Sequence, residues 1–225
     1  MLFRIFEENP TPTLIIQGEN AAYIRSVLRL RLGGQFEVVS GIPEVAVYEI
    51  TGLGAKVEAK KINQYLDATE PERRIHLAIG LMKGDKLDLV LQKATELGVA
   101  SFIMYGSDES PVVMKNELVK RERWQRIIRS AVCQSRRTHE PAITICTDLR
   151  ECLDKGLGKI VYAEWIHPIP LAKLNDREVT IIVGPESGFS NREKDLLKSL
   201  PCVSLSPRTL RAETAAIAAV ARLLL

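Results

Sequence analysis

Two short stretches late in the chain hold the residue types that could do chemistry. The first, GPESGF (184–189), sets Glu186 and Ser187 between two glycines and a proline. The second, LSPRTLRAETA (205–215), carries Arg208, Arg211 and Glu213 within six positions. Guanidinium groups beside a pocket bind phosphate or stabilise negative charge that develops during a reaction. A carboxylate such as Glu186 or Glu213 can accept a proton or orient an arginine. The plainer alternative is that Arg208 and Arg211 form surface ion pairs with Glu186 or Glu213, and spacing alone does not separate the two. In the first stretch, Gly184 and Gly188 permit positive φ or close backbone approach, and Pro185 stiffens the turn. Such a loop either offers its backbone N–H and C=O groups to a nucleoside-like ligand or is an ordinary tight connection.

Other chemistries fail on spacing. A nucleophile elbow needs serine at the centre of G-x-S-x-G, where this chain has Glu186. No Gly-Lys-Ser/Thr closes a phosphate loop, and GLGAKV (52–57) lacks the third glycine of a dinucleotide fingerprint. His76, His139 and His167 have no carboxylate or cysteine at a diagnostic distance, so they read as structural or surface residues. Cys133, Cys146, Cys152 and Cys202 form no CxxC pair and have no nearby histidine at ligand spacing. Neither a metal centre nor a disulfide framework is expected.

The elements that must position the two loops are legible around them. Ile181–Val183 is a β-branched run, and Ser190 with Glu193 three residues later marks a capped helix start. From Ile75 onward, apolar runs alternate with helical patterns: IHLAIGL, a helix over 84–97, SFIMYG, a helix over 115–136, AITIC, a helix over 147–155, KIVYAE, VTIIVG, a helix over 190–199, CVSLS and a terminal helix. That order predicts a parallel α/β sheet. Ligands of such sheets bind outside the carboxyl ends of the strands, which selects three loops: Ala163–Glu164, 184–189 and 206–211.

Residues 1–68 follow a different pattern. Short strands, LFRIF, TLIIQ, QFEVVS, EVAVYEI and AKVEAKKI, are punctuated by glycine and proline, predicting a small β-rich barrel. One helical piece, ENAAYIRSVLRLR, is expected to turn Ile24, Val27 and Leu28 inward and Arg25 and Arg29 outward. The polar DATEPERR (67–74) reads as a linker, giving domains over 1–68 and 72–225.

With 225 residues, 46% of them apolar, the chain can bury a full core. The net charge of +3 is compatible with a polyanionic partner without requiring one. The basic segment KRERWQRIIRSAVCQSRR (120–137) is more specific. As one helix it places Trp124, Ile127, Ile128, Ala131 and Val132 on one face and Arg126, Arg129, Arg136 and Arg137 on the other. A solvated charged face is the plain reading; the density of arginine with few acids points to RNA contact. The start lacks the apolar run of a signal peptide, and the apolar tail AAIAAVARLLL is interrupted by Arg222 and too short to span a bilayer. A cytoplasmic protein with reduced cysteines is the expectation.

The motifs KGDKLDLVLQKATELGV (83–99), QSRR (134–137), VGPESGFSNRE (183–193) and LSPRTLRAETA (205–215), with VLRLRLGG (27–34), together resemble the RsmE-type family of 16S ribosomal RNA uridine-N3-methyltransferases, of the SPOUT class. The resemblance implies a C-terminal α/β trefoil-knot methyltransferase domain, an N-terminal PUA-like β-barrel that binds RNA, and a homodimer acting on the small ribosomal subunit. It implies S-adenosylmethionine held by Gly184, Pro185, Glu186, Ser187 and Gly188 from one knot loop and Leu205, Ser206, Leu210 and Ala215 from the other, with Ala163 and Glu164 at the border. No metal is implied. Arg211, Arg208 and Glu186 become the candidate catalytic residues, and Arg25, Arg29, Arg126, Arg129, Arg136 and Arg137 the candidate RNA contacts. The chain departs from the pattern where the family usually has glycine at Ser187 and Ser206, Glu-Arg-Ser at 108–110, glutamate at Cys133 and a histidine near Ala22-Tyr23. Alternatives are a SPOUT enzyme acting on transfer or large-subunit RNA, a non-catalytic RNA-binding or ribosome-assembly protein of the same fold, and a small-molecule α/β enzyme.

Overall fold

The computed structural model describes residues 2–110, 117–164, 169–171 and 174–225. His167 lies outside the described residues. The chain forms two compact units, one of residues 1–70 with 132–140, the other of 71–131 with 141–225.

The first unit is a five-stranded sheet of β1 (Arg4–Phe6), β2 (Thr13–Ile16), β3 (Gln35–Val39), β4 (Glu44–Leu53) and β5 (Val57–Leu66), in the order β1-β3-β4-β5-β2. All pairings are antiparallel except β1 with β3. Alternate residues of β2 and of the start of β5 are buried, as expected of strands with one face on a core. Helix α1 (Gly18–Ala22) continues into a wider π turn (Tyr23–Val27) closed by the Leu28 N–H donating to the Tyr23 carbonyl at 3.0 Å. That i to i+5 bond corrects one expectation. Ile24 is fully buried, but the extra residue in the turn rotates Val27 outward to 61% exposure.

Residues 132–140 join this unit through charge. Helix α3 (Glu117–Gln134) ends there, with the Arg137 N–H donating to the Val132 carbonyl at 3.0 Å and the Arg136 N–H to the Cys133 carbonyl at 3.4 Å. This is a Schellman ending, and Arg136 takes the left-handed position, φ 59°, that glycine normally fills. Its guanidinium bonds both oxygens of Glu37, at 3.0 and 2.9 Å. Arg4, buried, donates to Glu37 and Asp67 at 3.0 Å each and to the carbonyls of Arg136 and Arg137 at 2.6 and 3.2 Å. Arg137, also buried, donates to Glu70 at 2.6 Å. The expectation that Arg136 and Arg137 project from the outward face of the helix is thereby corrected: both lie beyond its end, drawn in by Glu37 of the sheet and Glu70 of the segment that follows β5.

The second unit is built on a seven-stranded, wholly parallel sheet ordered β10-β12-β9-β11-β6-β7-β8. Its strands are β6 (Arg74–Gly80), β7 (Ser101–Tyr105), β8 (Ala142–Cys146), β9 (Lys159–Ala163), β10 (Ile169–Pro170), β11 (Glu178–Val183) and β12 (Cys202–Ser204). The central strands β6 and β11 are buried almost throughout, as a sheet covered on both faces requires. The helices are α2 (Lys86–Leu97), most of α3, α4 (Leu149–Lys155), α5 (Asn191–Leu197) and α6 (Ala212–Leu224). Three of their boundaries have a plain local cause. Gly98 ends α2 at φ 105°, Asp148 caps α4 by accepting from the Glu151 N–H at 2.9 Å, and α5 opens with the expected capping box. On α3, Trp124, Ile128, Ala131 and Val132 are buried and Arg126 is exposed. No helix among the described residues is long and apolar enough to cross a membrane.

Candidate functional site

The strand order places the site. From β6 the chain steps through β7 to β8, then returns on the other side of the sheet with β9, and β11 later inserts between β9 and β6. The sheet therefore reverses its winding at β6, β11 and β9, where α/β sheets open a crevice at their carboxyl ends. A cavity of about 520 Å³ lies there, walled by the ends of β9 and β11, by the loop after β11 and by the loop joining β12 to α6.

The first loop is a turn in which the Gly188 N–H donates to the Pro185 carbonyl at 3.0 Å, with Gly188 at φ 78°. A side chain at Gly184 would meet the ring of Phe189 at 3.3 Å, so glycine lets the backbone lie flat on that ring. Phe189 is itself held edge-on by Tyr162, 6.1 Å between ring centres. Pro185 packs on the end of β6, where a Cβ on Gly80 would fall 2.8 Å from its ring. Glu186 is ion-paired to Lys86 at 2.5 Å.

The loop after β7 fixes the other side of this turn. The Ser190 hydroxyl donates to Asp108 at 2.8 Å, the Asp108 N–H donates to Glu193 at 3.2 Å, and the Ser187 hydroxyl donates to the Glu109 carbonyl at 2.8 Å. Glu193 meanwhile accepts from the Ser190 N–H at 2.8 Å.

The second loop folds onto itself and onto α6. The Arg208 N–H donates to the Ser206 hydroxyl at 3.1 Å, and Arg222 donates to the Leu205 carbonyl at 2.5 Å. Arg211 opens α6 in an extended conformation and, like Arg208, is exposed at the cavity wall. Neither guanidinium pairs with Glu186 or Glu213, which disposes of the surface ion-pair alternative. Glu213, in the first turn of α6, is buried.

An RNA methyltransferase domain model matches residues 69–224. The ribosomal RNA small subunit methyltransferase E of Bacillus subtilis is 30% identical over 226 aligned residues, covering 93% of this chain and 88% of that protein. The chain belongs to this family. Two solved structures align along nearly their whole length. A methyltransferase from Legionella pneumophila, in complex with S-adenosylmethionine, superposes with a TM-score of 0.90 at 26% identity, covering 99% of this chain and 97% of that one. The ribosomal RNA small subunit methyltransferase E of Neisseria gonorrhoeae, bound to the same molecule, gives 0.87 at 27%, covering 98% and 96%.

Within this family member the structure gathers Ala163, Glu164, Gly184, Pro185, Glu186, Gly188, Leu205, Ser206, Arg208, Leu210, Arg211 and Ala215 around one cavity. Ser187 alone of the expected set is absent from the lining, because its side chain is turned to Glu109. Sequence reasoning overlooked Lys86 and Phe189 as wall residues and Asp108 as an anchor. Lys86 lies inside the KGDKLDLV motif and Phe189 inside the loop itself; Asp108, 82 positions from Ser190, gave no local signal. No cluster of histidine, cysteine and carboxylate able to hold a metal occurs among the described residues.

Proposed function

We propose that this protein transfers a methyl group from S-adenosylmethionine to N3 of a uridine in 16S ribosomal RNA. The observation that carries the reading is the cavity at the winding reversal of the parallel sheet, walled by both loops of the family's motifs. Its volume falls in the range of roughly 300–1,000 Å³ usual for cofactor-sized ligands. Its chemistry also fits the group: a flat glycine backbone at Gly184 beside an aromatic ring, apolar walls from Leu205, Leu210 and Ala215, and a buried carboxylate at Glu213. S-adenosylmethionine, when bound, supplies an electrophilic methyl group on a positively charged sulfur.

The chain's own residues then have three tasks. The backbones of 184–188 and 205–210 bind and orient, because in-line displacement rewards alignment above all. Arg211 stabilises the negative charge that spreads over the two carbonyl oxygens flanking uridine N3 as its proton leaves, with Arg208 in reserve. Glu186, held by Lys86, sits at the wall as the candidate acceptor or orienting group.

The same reading makes the second unit a trefoil knot. In support, β11 enters between strands laid down earlier and β12 lies between β9 and β10, the order a threaded carboxyl-terminal segment needs. The first unit is read as a PUA-like barrel, supported by its curled five-stranded sheet, and the chain as a homodimer on the resemblance alone. Arg25, Arg29, Arg126 and Arg129 are the proposed RNA contacts; the first three are exposed. Arg136 and Arg137, committed to Glu37 and Glu70, are read as shaping the first unit instead. Incubating the purified protein and S-adenosylmethionine with small ribosomal subunits tests the reading: digestion should release N3-methyluridine, and its absence with every RNA tried would sink the proposal.

A further inference from the structure

Glu213 presents a deficit at one carboxylate oxygen that no described residue repairs. It is the second residue of α6, it lines the cavity, and it is only 9% exposed. Its Oε2 is shielded from solvent and has no hydrogen-bond partner among the described residues. Arg208 and Arg211, the cations closest to it in the chain, are exposed at the same cavity wall and make no ion pair with it. The amino end of α6 offsets part of the charge, about half an elementary unit. A buried carboxylate without a counter-charge is nonetheless among the costlier features a fold can keep. The cavity's other acids do not share the problem: Glu186 has Lys86, and Glu164 is only half-buried.

We infer that Glu213 is the residue that recognises the positive charge of the methyl donor. The inference rests on the cofactor reading above and adds to it a residue and a charge. A neutral donor would satisfy the orphan oxygen but leave the unit charge buried; a cation entering the cavity repairs both. S-adenosylmethionine carries two positive centres, the sulfonium and the ammonium of its amino-acid part. The demethylated product, S-adenosylhomocysteine, keeps the ammonium alone, and methylthioadenosine has neither.

Titration calorimetry of wild-type protein and Glu213→Gln with these three ligands separates the possibilities, and thermal unfolding without ligand supplies a second readout. The near-isosteric amide should weaken S-adenosylmethionine binding at least about tenfold and leave methylthioadenosine within about twofold. If S-adenosylhomocysteine weakens in parallel, the ammonium is the partner; if it does not, the sulfonium is. The ligand-free variant should melt at or above the wild-type temperature, because a neutral amide is cheaper to bury than an unpaired carboxylate. Unchanged affinity for S-adenosylmethionine, an equal loss for methylthioadenosine, or a variant that cannot fold would each overturn the inference. Wild-type protein that binds none of the three would instead defeat the cofactor reading, and this inference with it.

Discussion

The hydroxyl of Ser187 donates to the backbone carbonyl of Glu109 across 2.8 Å, and this bond keeps the side chain out of the cavity that its loop encloses. The family resemblance of the sequence implies glycine at this position. Here the added side chain is turned into an anchor between the loop after β7 and the loop after β11, reinforced by Asp108 and Ser190.

Ser187→Gly should therefore loosen the loop rather than widen a pocket. It removes one hydrogen bond, worth about 0.5–1.5 kcal/mol net, and adds backbone freedom. The expected outcome is a cofactor Kd roughly three- to tenfold weaker with kcat nearly unchanged, measured by calorimetry and single-turnover kinetics.

Gly80→Ala probes the same loop from below. The new methyl group would meet both the ring and the backbone nitrogen of Pro185, at 2.8 and 2.9 Å, where no flexible side chain can yield. Overpacking of this kind costs about 1–3 kcal/mol. Since the displaced atoms form the cavity wall, cofactor affinity should fall along with the melting temperature.

Arg211→Ala should separate binding from chemistry. The guanidinium is exposed at the cavity wall, so the cofactor Kd should stay within about twofold while kcat drops roughly 10²–10³-fold, the scale seen when one donor to a developing oxyanion is removed. A loss confined to KM for RNA would make it a binding residue.

The charge network of the first unit predicts an acid response. Burial raises the carboxyl of Glu37, but hydrogen bonds from Tyr65, Arg136 and Arg4 outweigh it and the net shift is downward. Asp67 and Glu70 are lowered on the same balance, by Arg4 and Arg137 in turn. Carboxyls depressed in the folded state contribute stability that is present above their unfolded values, about 3.9 for Asp and 4.3 for Glu. That stability is lost as pH falls through the lower folded values. The first unit should keep this contribution down to about pH 4, near the unfolded carboxyl values, and lose it progressively below. Arg4→Met leaves Asp67 without its cation and Glu37 with Arg136 alone, so it should destabilise the first unit and move the acid transition upward; circular dichroism against pH measures both.

The contrast between readable and unreadable features follows from distance along the chain. Apolar runs separated by helical periods gave away the parallel sheet, because its central strands, β6 and β11, are buried on both faces and need no partner to declare themselves. The start of α5 was equally legible, since Ser190 and Glu193 complete a capping box within three residues. The outward turn of Val27 was not, because a single extra residue in a π turn has no compositional mark. Arg136 was misplaced for a related reason: a Schellman ending is normally announced by glycine, and here the ion pair with Glu37, 99 positions away, stabilises the left-handed arginine instead. Strand β10, two residues long, lies below any periodicity. In the site, the two loops were visible as motifs, whereas the Glu109 anchor of Ser187 and the isolation of Glu213 depend on contacts that only the fold creates.

The most direct measurement of the central claim is mass spectrometry of the nucleosides of 16S ribosomal RNA from cells with and without this protein. The account predicts that one N3-methyluridine disappears on deletion and returns with the wild-type chain but not with Arg211→Ala. An unchanged N3-methyluridine content in the deletion strain would contradict it.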